Sequence, residues 1–250
     1  MLRGIYTAAT GMIQQSRRLD TISNNLANVN TIGYKRDKVL NRSFEDELLL
    51  RTGGGQTSSR RIIGHINHGV YADEIVTSFE QGSLDQTYNE TDVAILGEGF
   101  FTILTDDGVR YTRDGSFAID NSGRLVTRGG WPVLGEQGDI YIYDDNYVLD
   151  EHGNIFRGED HIDRLLLVDF ENKETLRKTG DNIYINIDEE NRPIQFNGEL
   201  RQGFLEGSNV EPIKEIADMM AVTRLYETNQ RIIKMMDDTL GKAVNEVGQV

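Results

Sequence analysis

Between Met219 and Val247 the chain places Met219, Val222, Tyr226, Asn229, Ile233, Met236, Leu240, Ala243 and Val247 in alternating steps of three and four without a miss. That spacing predicts a long α-helix with one narrow apolar seam, the pattern of a coiled coil. Glu211-Pro212 opens it well, because proline is tolerated in the first helical turn and an acid favours the positive end of the helix dipole. Asn229 is a polar residue in an otherwise apolar seam, which costs stability and fixes register. Such a seam is filled equally well by a helix of the same chain, as a two-helix hairpin, or by a helix of a neighbour.

The other end shows the same design more faintly. Leu2, Ile5, Ala9, Met12, Leu19 and Leu26 recur at helical spacing, with Ser16 and Ser23 filling the remaining positions. No proline interrupts the run, and Asn28, Asn30 and Gly33 supply helix-ending chemistry, so one helix to about residue 30 is expected. At about 1.5 Å per residue each terminal helix reaches roughly 45 Å, more than a small domain needs for its own core.

Between the helices the period changes. Val93–Leu96, Gly99–Thr105, Val109–Thr112, Phe117–Ile119, Arg124–Thr127, Ile140–Tyr143, Leu165–Phe170, Ile183–Ile187 and Ile194–Phe196 read as strands. Turn signals separate them: Asp107-Gly108, Asp114-Gly115, Asn121-Ser122-Gly123, His152-Gly153-Asn154 and, as the sharpest hairpin signal, Asn197-Gly198. Residues 118–126 and 148–156 share a pattern of two apolar residues, Asp, two free positions, Gly, a polar residue and two apolars, which marks a reused hairpin. Residues 52–59 are glycine- and serine-rich without periodicity and make the best linker candidate.

Composition narrows the function classes. No apolar run approaches the roughly 20 residues that span a bilayer, and the N-terminus lacks the uninterrupted apolar stretch of a secretory signal, so export would need another route. There are no cysteines, which leaves stability to packing. The net charge of −15 is concentrated in residues 51–205, where 28 acids face 14 bases; residues 1–50 carry seven bases and five acids. An acidic middle repels phosphate backbones, which argues against nucleic acid, while the near-neutral ends suit contacts.

Chemistry finds little support. His65 and His68 form an H-x-x-H pair with no third ligand placed by the sequence, so no metal is expected. Asp106-Asp107, Asp144-Asp145 and Asp188-Glu189-Glu190 lack calcium-loop spacing and sit where hairpins need turn residues. A glycosidase pair of carboxylates distant in sequence stays open. Gly97-Glu98-Gly99 lacks the lysine of a phosphate loop and precedes a strand. No nucleophile elbow or zinc-protease helix motif is present, so no catalytic residue, cofactor or small-molecule substrate is expected.

Ser23-Asn24-Asn25-Leu26-Ala27-Asn28-Val29-Asn30-Thr31 followed by Gly33-Tyr34-Lys35 resembles the N-terminal signature of the bacterial flagellar rod and hook proteins. The resemblance continues through Gly97-Glu98-Gly99-Phe100-Phe101, Arg110-Tyr111-Thr112-Arg113-Asp114-Gly115-Ser116-Phe117 and Gly130-Trp131-Pro132-Val133-Leu134-Gly135. It ends in Gly203-Phe204-Leu205-Glu206-Gly207-Ser208-Asn209-Val210 and the heptads beyond, so it covers nearly the whole chain in order.

The resemblance implies a mainly β fold with α-helical termini: a central antiparallel β domain, and N- and C-terminal helices forming an inter-subunit coiled coil. The expected divisions are 1–35 (helix and signature turn), 36–92 (linker and extended segment), 93–205 (β domain) and 206–250 (coiled-coil helix). It further implies a structural subunit of an axial tube in the basal body, closest to the distal rod, with a proximal position as the alternative. Its partners would be copies of itself in a helical homopolymer, other rod proteins, the hook and the flagellar export apparatus. Leu2, Ile5, Met12, Leu19, Leu26, Met219, Val222, Tyr226, Asn229, Ile233, Met236, Leu240 and Val247 are the expected assembly contacts. The rivals from other classes are a carbohydrate-binding or hydrolytic β domain with helical dimerisation arms, and a regulatory β protein that binds one partner through its coil.

Overall fold

The computed structural model describes residues 2–51, 61–143 and 147–247. The linker candidate 52–59 and the acidic pair Asp144-Asp145 fall outside them. The chain divides into two compact units, one of Met1–Asn24, Asp37–Val76 and Ile213–Val250, the other of Asn25–Arg36 and Thr77–Pro212.

The first unit holds both long helices, α1 (Leu2–Ala27) and α2 (Pro212–Lys242), the latter continuing into a π-helical turn, Ala243–Val247. Gly4 lies against the Met236 side chain, and a Cβ placed on Gly11 would stand 3.0 Å from Asn229 Nδ2. Numbers rise along α1 as they fall along α2, so the two helices of one chain pack antiparallel. Small residues at Gly4, Ala8 and Gly11 let the backbones approach, and Ala8 is buried. Of the seam read from the sequence on α2, Met219, Tyr226, Asn229, Ile233, Met236 and Leu240 are half-buried and Val222 is buried, while Ala243 is exposed.

Segment 36–92 is more structured than a linker. Strands Asp37–Ser43 and Val70–Thr77 pair, and Glu47–Arg51 pairs antiparallel with Arg61–Ile66, making a ribbon folded back on itself. At its bend Phe44 N–H donates to Gly69 O (3.0 Å) and Asn67 Nδ2 donates to Phe44 O (2.9 Å). The sequence signal here was weak because alternation on a largely solvated two-stranded ribbon has no buried face to enforce it.

The second unit is built on a six-stranded antiparallel sheet in the order Leu176–Gly180, Ile183–Asn186, Gly108–Thr112, Phe100–Thr105, Leu167–Phe170, Pro193–Gln195. Consecutive side chains on a strand point to opposite faces, and Phe100-Phe101 shows both faces covered, since each is 0% exposed. Phe101 meets Phe117 edge-on (5.0 Å) in a core shared with Val93, Ile95, Ile103 and Leu125. Phe100 faces the other way, with Phe79 at 5.3 Å and Phe170 at 6.1 Å. Burial of each such ring contributes about 1.5–3 kcal/mol.

The repeated pattern is one hairpin used twice. Asp120 and Asp150 each accept from the backbone N–H four residues on, Arg124 at 2.9 Å and Asn154 at 2.8 Å, while Gly123 and Gly153 take positive φ. Three expectations need correction. Asn197-Gly198 joins strands of different sheets, because Pro193–Gln195 pairs with Leu167–Phe170 and Glu199–Gln202 with Val93–Leu96. Glycine is required there because a Cβ would run into Leu96 O, not for a left-handed turn. Ile140–Tyr143 alternates inward and outward but makes one isolated antiparallel bridge, Tyr141 opposite Arg124, with Leu125 N–H donating to Ile140 O (2.9 Å) and Ile142 N–H to Gly123 O (2.6 Å), in place of a ladder. Finally, α1 stops at Ala27 and hydrogen-bonded turns carry the chain to Gly33, the residue with the left-handed φ of 66°.

Candidate functional site: a signature cluster and two helix faces

Three motifs far apart in sequence meet inside the second unit. Gly33 presses its α-carbon onto the backbone of Arg113-Asp114, where a Cβ would stand 2.7 Å from Arg113 C, and its N–H donates to Glu206 O (2.7 Å). Tyr34 donates its hydroxyl to Asn25 Oδ1 (3.1 Å) and stacks under Lys178, whose Nζ is 4.0 Å from the ring centre. Lys35 buries its ammonium completely, with Nζ 2.6 Å from Glu206 Oε1 and 2.9 Å from Glu80 O. Arg113 reaches the second oxygen of Glu206 at 3.4 Å and donates to Gly97 O at 2.8 Å. Asn209 closes the cluster by accepting from Arg36 N–H (2.7 Å) and donating to Ser78 O (2.9 Å).

Electrostatically this is two cations around one carboxylate. Burial pushes the Lys35 ammonium below its usual range, opposed by Glu206 and reinforced by Arg113. Burial likewise lowers Arg113, against the pull of Glu206. With Lys35, Arg113 and Glu206 all at most 2% exposed, no solute reaches these groups, and the cluster serves as a staple between residues 33–35, 113 and 206–209. A pair of this kind, once buried, is costly to break on one side only. Sequence reading named Lys35 as signature but missed Arg113 and Glu206 as its partners.

The expected assembly residues divide in the first unit. Asn229 and Met236 are occupied by α1 of the same chain. Ile5, Ala9, Met12 and Leu19 are half-buried and Ser16 and Ser23 exposed; Ile5 and Met12 each lie about 100° round the helix from Gly4 and Gly11, the residues that contact α2. Leu26, also half-buried, belongs to the second unit. The side-chain surroundings of Leu2 and Val247 fall outside the described residues. Beside that stripe α1 exposes Tyr6 (54%) and Ile13 (62%). Ile5, Tyr6 and Ala9 with Phe44 floor an open groove of about 1020 Å³, edged by Glu45, Asp46 and Glu47 and by Arg3 and His68. His68 Nε2 is 3.1 Å from Glu47 Oε2, while His65 is exposed. Among the described residues no group of three or more His, Asp or Glu is placed to hold a metal, and no helix is long and apolar enough to cross a membrane.

Three family models cover the chain in sequence: "Flagella basal body rod protein" over residues 5–35, "Flagellar hook protein FlgE/F/G D1 domain" over 94–199, and "Flagellar basal body rod FlgEFG protein C-terminal" over 201–246. Full-length relatives agree. The chain is 36% identical to the flagellar basal-body rod protein FlgG of Borreliella burgdorferi, over 98% of each chain. It is 33% identical to the flagellar hook-basal body complex protein FlhO of Bacillus subtilis over 100% of each, and 31% identical to the basal-body rod protein FlgF of Caulobacter vibrioides, also over 100% of each. The chain belongs to the flagellar basal-body rod family. Its place is the basal body, and its role is structural, not enzymatic. The signature cluster joins parts of all three matched regions: Lys35 from the first, Arg113 from the second and Glu206 from the third.

Proposed function

We propose that this rod-family member polymerises helically through its terminal helices, in the distal part of the rod, and that the resulting tube carries torque from motor to hook. The observation that carries this reading is the apolar surface left over on both helices after they have packed on each other. α1 exposes Tyr6 and Ile13, and α2 exposes Ile213, Met220 and Met235 at 85%, 54% and 60%. Tyr6 and Ile13 on α1, and Ile213 and Met220 on α2, stand about two turns apart on one face of each helix, and apolar faces of this kind suit contact surfaces. Contacts between unlike surfaces, repeated along a screw axis, build an open tube and not a closed ring. The half-buried stripe of Ile5, Met12, Leu19 and Leu26 is available to the same contacts. The distal position follows the motif resemblance and the several relatives named FlgG. Other rod proteins, the hook and the flagellar export apparatus are its partners in this reading.

Electron microscopy of purified chain induced to polymerise tests it, alongside an Ile13→Asp, Met220→Asp double variant. Tubes from the parent chain and monomers of unchanged circular dichroism from the variant are expected. A parent chain that stays monomeric under all polymerising conditions, or a variant that forms normal tubes, refutes the reading.

A further inference from the structure

Two surfaces of the first unit complement each other and cannot meet within one molecule. The groove beside α1 has an apolar floor of Ile5, Tyr6, Ala9 and Phe44 and a rim of three consecutive acids, Glu45, Asp46 and Glu47, with Arg3 and His68. Tyr6, Ala9 and Ile13 run for about two turns on the far side of α1 from Gly4 and Gly11, the residues that contact α2. On α2, Ile213, Ala217 and Met220 form an exposed apolar strip of the same length, on the side opposite the seam of Val222, Asn229 and Met236. The strip continues into Arg224, Glu227 and Arg231, all exposed on the same face, with Glu227 Oε2 4.0 Å from Arg231. Each surface therefore points away from the partner helix of its own chain, and the three acids outweigh Arg3 beside the groove where Arg224 and Arg231 outweigh Glu227 on the strip.

We infer that the outer face of α2 from one copy, Ile213 to Arg231, docks into the Tyr6–Phe44 groove of the next copy, with Arg224 and Arg231 against Glu45–Glu47. The inference rests on the polymerisation proposed above and specifies which surfaces make it. Because groove and strip are different patches, the contact is head-to-tail and leaves one of each free at the two ends of any oligomer. Apolar burial supplies adhesion, and the charge pairing supplies polarity and register.

The absence of cysteine makes the test clean. Tyr6→Cys and Met220→Cys are placed in separate chains, mixed in equal amounts, polymerised and mildly oxidised. A disulfide-linked dimer of one variant with the other, absent when either polymerises alone, is expected. In a second arm, the double reversals Glu45→Lys, Asp46→Lys and Arg224→Glu, Arg231→Glu each raise the critical concentration for polymerisation about tenfold, and their combination in one chain restores it. Tubes that form with no mixed disulfide and no rescue overturn the inference while leaving polymerisation intact. Disulfides of Tyr6→Cys chains with themselves overturn it in favour of a two-fold contact. No polymer from the parent chain removes both readings together.

Discussion

Lys35 Nζ lies 2.6 Å from Glu206 Oε1 in a site from which water is excluded, and the same carboxylate faces Arg113 through its other oxygen and Gly82 N–H at 2.9 Å through the first. One acid therefore organises two cations and a backbone donor, and its removal strands all three. The consequence is asymmetric, since either cation is easier to remove than the anion.

Glu206→Ala is expected to cost about 3–5 kcal/mol, because it leaves two buried positive charges with only carbonyl partners. Lys35→Met removes one of two cations and keeps the Arg113–Glu206 pair, so its cost is smaller, about 1–3 kcal/mol. Urea unfolding of both variants checks this. An equal loss would mean that Glu206 and Lys35 interact with each other alone and Arg113 plays no part.

The lowered Lys35 value has a pH signature. Between its folded value and the ordinary 10.5, the unfolded chain holds a proton on Lys35 that the folded chain has released. Stability contributed by this group therefore rises with pH across that window, with a slope of at most about 1.36 kcal/mol per pH unit. Unfolding measured from pH 7 to 10 should show a more positive slope in the parent chain than in Lys35→Met. Parallel slopes would show that Lys35 keeps its ordinary affinity for protons in the fold.

Gly33 and Gly241 make a contrasting pair. At Gly33 a side chain meets the Arg113-Asp114 backbone in a left-handed conformation, and Gly33→Ala should cost on the order of 2–3 kcal/mol. Around Gly241, in α2, a Cβ meets nothing within 4 Å, so Gly241→Ala should stabilise by up to about 1 kcal/mol through helix propensity. Thermal unfolding of the two variants should move in opposite directions.

These residues also show what the sequence could disclose. The heptads of α2, the strand Val93–Leu96 and the twin Asp-Gly hairpins were legible because each is a local pattern: a period, or a turn residue with its own hydrogen bonds. Asn197-Gly198 misled because the same dipeptide serves a hairpin and a close backbone approach, and only the strand partners decide between them. The α1 residues that meet α2 within the chain were not legible for a related reason. Helix contact there uses Gly4, Ala8 and Gly11, whose value is smallness, and a search for apolar side chains passes over them. The Lys35–Arg113–Glu206 cluster was illegible because charges are expected at the surface, and nothing local announces that three of them share one buried site.

Met236→Asp separates the helix pair from the β unit. Met236 lies against Gly4, where the glycine leaves no side chain to shield or pair a carboxylate. A charge at this half-buried seam should cost about 1–3 kcal/mol, enough to loosen α1 from α2. The β unit has its own core, centred on Phe101 and Phe100, and contains neither residue. Limited proteolysis with mass spectrometry should therefore find the variant cleaved quickly within residues 2–24 and 213–242 while residues 25–36 and 77–212 stay protected, and polymerisation should be lost. Simultaneous digestion of both units would mean that they unfold as one, and that the helix pair stabilises the β unit as well as itself.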